Sequence, residues 1–81
     1  MIGRRQDCAP HQLQPGEFCF YAGVWYAHCP GPGKLIANLG AHQVTEEADG
    51  TITVSPSILC SGGGSGLKWH GFLERGVWRE C

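Results

Sequence analysis

The clearest pattern along the chain is the alternation Thr51-Ile-Thr-Val-Ser55, which sends Ile52 and Val54 to one face and the hydroxyl side chains to the other. A period of two is what a strand with one buried face requires. His42-Gln-Val-Thr-Glu46 is its natural partner. Asp49-Gly50 lies between them and predicts a hairpin, because that dipeptide tolerates the positive φ angles of a tight turn. Upstream, Glu17-Phe-Cys-Phe-Tyr21 and Val24-Trp-Tyr-Ala-His28 are rich in aromatic residues and flank Ala22-Gly23, which predicts a second hairpin. A third is predicted where Leu67-Lys-Trp-His-Gly-Phe-Leu73 meets Val77-Trp-Arg-Glu80 across Glu74-Arg75-Gly76. Lys34-Leu-Ile-Ala-Asn-Leu39 reads as one further short strand, ended by Gly40. No stretch carries a sustained apolar period of three to four residues, so no helix is predicted.

The breaks between these runs are as legible as the runs. Pro15-Gly16 is a turn signal, and Cys29-Pro-Gly-Pro-Gly33 must interrupt a sheet, since proline removes a ladder donor. Ser61-Gly-Gly-Gly-Ser-Gly66 reads as a flexible loop. A glycine-rich loop that cradles phosphate leads into a helix N-terminus, whereas this one leads into a strand pattern. Residues 1–15 show no periodicity and read as an extended or flexible arm; residues 16–81 form a single small β-domain. The expected fold is all-β: an antiparallel meander of about six or seven short strands, closed into a sandwich or a partly open barrel.

Composition sharpens this picture. Eighty-one residues allow one small core, for which packing alone gives marginal stability, so internal staples are expected. Thirteen glycines and five prolines suit a fold made of turns and short strands. The formal charge is −1, and Arg4-Arg5 is the one adjacent basic pair, which argues against nucleic acid as a general partner. No apolar run approaches a membrane span, and no apolar segment follows the N-terminal arginines. The expectation is a cytoplasmic protein with no membrane association.

Five cysteines (Cys8, Cys19, Cys29, Cys60 and Cys81) and four histidines (His11, His28, His42 and His70) carry the candidate chemistry. An odd number of thiols cannot all pair within the chain, and no Cys-x-x-Cys knuckle is present. Three outcomes stay open for the thiols: a metal, reduced structural thiols, or one or two disulfides. Structural zinc is the leading expectation. Zinc needs four converging soft or borderline ligands, and Cys29, Cys60, His70 and Cys81 all lie at turns or strand ends, where a Cys3His tetrahedron could assemble. Cys19 sits inside an aromatic strand and reads as a small buried hydrophobe, while Cys8 reads as a free thiol in the arm. His28 and Cys29 are adjacent, so as strand neighbours they face opposite ways.

Ser55-Pro-Ser-Ile58 and Trp69-His-Gly-Phe-Leu-Glu-Arg-Gly-Val-Trp78, together with Cys29-Pro-Gly-Pro-Gly33 and Asp49-Gly50, follow one another in an order that resembles an uncharacterised family of small phage and bacterial proteins. The resemblance covers about residues 16–81. It implies a zinc-containing β-domain, often phage-encoded, acting in the host cytoplasm. The family's Cys-Pro segment usually carries two or more cysteines, whereas here Cys29 stands alone.

The functional expectation is a phage-type accessory protein: a non-catalytic module that binds a protein partner, for instance as an inhibitor of a host enzyme or defence system. Its aromatic residues are of the kind that anchor interfaces, although Trp25, Tyr26, Trp69 and Trp78 are equally suited to a core. Two alternatives come from other classes. One is a single-stranded nucleic-acid binder with the aromatic hairpin as a stacking platform. The other is a small zinc- or thiol-dependent enzyme, which would need an open metal position with Glu74 or Glu80 beside it, or Cys29 or Cys60 activated by His28 or His70.

Overall fold

The computed structural model describes residues 1–31, 33–61 and 68–81. The glycine run read as a flexible loop lies, from Gly62 onward, outside the described residues. Among them are eight strands: β1 (Arg4–Arg5), β2 (Glu17–Tyr21), β3 (Val24–His28), β4 (Ile36–Asn38), β5 (Gln43–Glu46), β6 (Ile52–Ser61), β7 (Lys68–Glu74) and β8 (Val77–Glu80). A single 3-10 turn, Pro10–Gln12, lies between β1 and β2. The strands form two four-stranded sheets, ordered β1-β2-β3-β4 and β5-β6-β7-β8, that face each other without closing into a barrel.

Each hairpin forms where turn chemistry placed it. The β2–β3 and β7–β8 connections are two-residue turns with positive φ at both positions, Ala22 (52°) with Gly23 (81°) and Arg75 (48°) with Gly76 (77°). That is the backbone twist favoured between right-twisted antiparallel strands. At Asp49-Gly50, Gly50 takes φ 88° and its amide donates to Glu47 O at 3.0 Å. The Thr51 hydroxyl (2.6 Å) and amide (3.0 Å) both donate to Asp49 Oδ1, and these two bonds, hydroxyl first, hold the Asp49 carboxyl below its ordinary range. Ala22 is exposed, and its left-handed conformation is one that a side chain with a Cβ resists. Ala22→Gly is therefore expected to stabilise the fold by about 0.5–1 kcal/mol, raising the melting temperature by roughly 2–6 °C in a calorimetric scan.

Strand β6 is longer than the alternation suggested. It runs on through Pro56, whose peptide with Ser55 is cis. Proline cannot donate to a ladder, and the β6–β7 register accordingly shifts between Val54↔Leu73 and Ile58↔Gly71. Ile52, Val54, Ile58 and Cys60 remain two or four residues apart across the shift, and all four belong to the interior cluster.

Those residues meet Phe18 and Ala27 of the first sheet, with Leu35 and Leu39 filling in from the segments beside β4. Trp69 and Trp78 cross edge to face at 5.3 Å and 84°, which confirms the core role open to them from sequence. Gly71 makes room for that pair, since a Cβ there would lie 2.5 Å from the Trp69 ring.

The first fifteen residues, expected as an arm, are laced into both sheets. Ile2 bridges Val77 antiparallel, Trp78 N donates to Met1 O (2.8 Å), and Gly3 N donates to Gly76 O (2.6 Å), all along the β8 edge. The chain then crosses to the other sheet, where Arg4 and Arg5 pair parallel with Glu17 and Phe18. Parallel neighbours need a crossover connection. Residues 6–16 supply it, returning through the 3-10 turn with Leu13 buried beneath. Gly3 sits at the crossing, where a Cβ would be 2.9 Å from both Trp78 Nε1 and Gly16 O. Trp78 Nε1 itself donates to Gly16 O at 2.9 Å in a buried position, tying the second sheet to the turn that starts β2.

Candidate binding surface

The four residues expected to hold zinc do not converge. Cys29 and Cys60 are joined by a disulfide, with Cα atoms 6.5 Å apart, that links the end of β3 to the inner face of β6. Sulfurs bonded to each other are not thiolates, and thiolate is the form that binds zinc. His70 and Cys81 stand opposite each other, with Cys81 N donating to His70 O at 3.0 Å, and both are exposed. Leu59 pairs with His70 and Cys60 with Trp69, so His70 occupies the outer face of the sheet whose inner face carries Cys60. The donor set therefore does not fit a tetrahedral metal in this form of the protein, and no group of three or more potential ligands occurs among the described residues.

The remaining thiols and imidazoles occupy separate places. Cys19 is fully buried, as expected. Its thiol is pushed up first by burial and then by the proximity of Cys8. His28 is buried, with Nδ1–H donating to the carbonyl of Cys29 (2.8 Å). His42 Nε2–H donates to Ser57 O at 3.3 Å, and its Nδ1 has no partner among the described residues. Ser57 Oγ and His70 Nε2 are hydrogen-bonded at 2.8 Å on the outer face. A serine and an imidazole so placed resemble half of a nucleophilic constellation, and among the described residues neither borders the depression around Met1–Glu17 or the one around Arg5–Phe20.

Among the described residues, the free end of the β2–β3 hairpin joins exposed aromatic rings to a stacked arginine. Phe20 is 52% and Tyr21 48% exposed. Phe20 packs on Trp25 with ring centroids 5.0 Å apart. The Arg5 guanidinium stacks 5.0 Å from the centre of the Trp25 ring, while its Nη1 donates to Glu46 Oε2 (2.7 Å) and Gly50 O (3.2 Å). Arg5 thus reaches from β1 across to the opposite sheet and fixes the Trp25 face beneath it. An open depression of about 470 Å³, lined by Arg5, Gln6, Asp7 and Phe20, adjoins this cluster. The sequence shows Arg4-Arg5 only as the one adjacent basic pair. The stacking of Arg5 follows from the parallel pairing of β1, for which the sequence carries no period or turn signal.

No protein-family model matches the chain, and comparisons with curated proteins and with solved structures find no match.

Proposed function

We propose that the protein is a non-catalytic protein-binding module whose contact surface is the Arg5–Phe20–Tyr21–Trp25 end of the first sheet. The observation that carries this reading is the half-exposed Phe20 ring packed on Trp25, beside a stacked arginine and an open depression, with Tyr21 half-exposed on the other face of the same strand end. Aromatic and arginine side chains are the types that dominate binding energy at protein interfaces. Arg5 and Trp25 are already ordered by their mutual contact and by Glu46, which lowers the entropy lost on association. A stacking platform for single-stranded nucleic acid is less well supported. The charge of Arg5 is paired with Glu46, and Asp7 adds a negative group beside it, so the cluster lacks the positive field that a phosphate backbone needs.

A motif order that resembles that of small phage proteins is the ground for proposing a phage accessory role, with a host enzyme or defence factor as partner. No helix among the described residues is long and apolar enough to cross a membrane. A cytoplasmic setting belongs to the proposal. There the Cys29–Cys60 sulfurs, in residues 0% and 3% exposed, are shielded from soluble thiols.

The test is comparative capture from host lysate on immobilised parent chain, Phe20→Ala/Tyr21→Ala and Leu59→Ala, the last altering an exposed residue on the other sheet. A partner retained by the parent and by the Leu59 variant should weaken at least about 30-fold with the double variant. Equal retention by all three chains, or none by any, rejects this surface.

A further inference from the structure

Three cysteines stand outside the disulfide, and two of them, Cys8 and Cys19, lie on the crossover between β1 and β2 and on β2 itself. Gln6 N donates to Phe18 O at 2.8 Å, continuing the parallel register Arg4↔Glu17 and Arg5↔Phe18. At Gln6 the chain therefore runs about 4.8 Å from β2, one strand spacing, alongside Cys19. Cys8 follows two residues later, a reach of at most about 7 Å, where the chain bends off the sheet edge to begin its return.

The return path covers the outer face of β2. Phe18 belongs to the interior cluster between the sheets, so its neighbour Cys19 points the other way. Yet Cys19 is 0% exposed, and the Leu13 side chain of the crossover is 1% exposed. Both lie outside the interior cluster, so the crossover, with its 3-10 turn packed against β2, forms a second and smaller buried layer. Cys8 lies at the start of that crossover and is partly exposed. The effect of Cys8 on the Cys19 thiol is what such proximity produces.

We propose that Cys8 and Cys19 are a second disulfide site, which on oxidation pins the crossover onto the first sheet and leaves Cys81 as the sole thiol. The oxidant is a low-molecular-weight disulfide such as oxidised glutathione. The accessible Cys8 thiolate attacks one sulfur of the reagent, forming a mixed disulfide and releasing one glutathione thiol. The Cys19 thiol, giving up its proton, then attacks Cys8 Sγ and expels the second glutathione thiol. Two protein thiols are oxidised by two electrons, one reagent disulfide is reduced, and both protons end on the released thiols.

The experiment uses the full chain carrying Cys81→Ser, which removes the exposed thiol that would otherwise join two molecules. Folded protein is incubated with oxidised glutathione, alkylated in denaturant, digested without reduction and mapped by mass spectrometry. The expected product is a peptide pair linked through Cys8 and Cys19, two hydrogens lighter than the separate peptides, with no alkylation at either. The melting temperature should rise by about 10 °C or more over the unoxidised chain, and in a Cys8→Ser/Cys81→Ser control it should not move. A glutathione adduct that persists on Cys8, a link from either residue to Cys29 or Cys60, or a Cys8–Cys19 link that forms only after denaturation overturns the proposal.

Discussion

Cys29→Ala/Cys60→Ala should melt roughly 15–30 °C below the parent chain. The two cysteines are 31 residues apart in sequence. Closing a loop of that length in the unfolded chain removes entropy worth about 3.5–4 kcal/mol at 25 °C. The total stability of a chain this size is about 4–12 kcal/mol, so the bond supplies a large share of it. Its position adds to the effect. Cys29 follows β3 in the first sheet and Cys60 lies on β6 in the second, so the bond spans the interior. Without it, the two sheets rely on a core whose largest members are one phenylalanine and two tryptophans. The measurement is thermal unfolding of parent and double variant in the same buffer, without reductant. A difference under about 5 °C would show that the cystine adds little to packing.

The second large effect is expected at Trp78. Trp78→Ala should lose about 3–5 kcal/mol through the cavity left beside Trp69 and Leu73. A further roughly 0.5–1.5 kcal/mol follows from losing the indole donor to the buried Gly16 carbonyl, which keeps the Arg4 amide at 3.3 Å. The sum approaches the whole stability, and the variant should be largely unfolded at 37 °C. Trp78→Phe separates the two contributions: it keeps most of the apolar volume and loses only the donor, so it should stay folded with a urea midpoint well below that of the parent. If Trp78→Phe matches the parent, the bond between Trp78 and Gly16 does not join the sheets in the way its geometry suggests. If Trp78→Ala stays fully folded, the interior around Leu73 must be able to collapse onto the vacated space.

Both effects come from places where the sheets are joined, and those joints were the least legible part of the sequence. The three hairpins could be read directly. Ala22-Gly23, Asp49-Gly50 and Arg75-Gly76 each end in a glycine suited to positive φ, and the alternation at Ile52 and Val54 sets the inward face by itself. Turn chemistry and a period of two act over a few residues, so they need no knowledge of the rest of the molecule. Pro56 is an intermediate case. The alternation reads only as far as Ser55, whereas the strand runs on past it through a register shift, with Ile58 and Cys60 in the interior.

The candidate site was less legible for the same reason. Phe20, Trp25 and Arg5 are ordinary strand residues in sequence, and only the parallel docking of β1 brings Arg5 over the Trp25 ring. The cysteines behave likewise. Cys29 and Cys60 were singled out together from their places at turns, but among ligands of a tetrahedral site. The structure pairs them with each other and leaves His70 and Cys81 on the outer face of the second sheet.

What the sequence determined by itself is the strands from β2 to β8, the tight turns between them and the all-β class, because each rests on local backbone preferences and on the two-residue pleat. The tertiary structure alone decided which sheet edge receives residues 1–5, which thiols meet, and which aromatic rings remain at the surface. Those depend on distances between segments far apart in the chain, and such distances are set only when two sheets close over one interior.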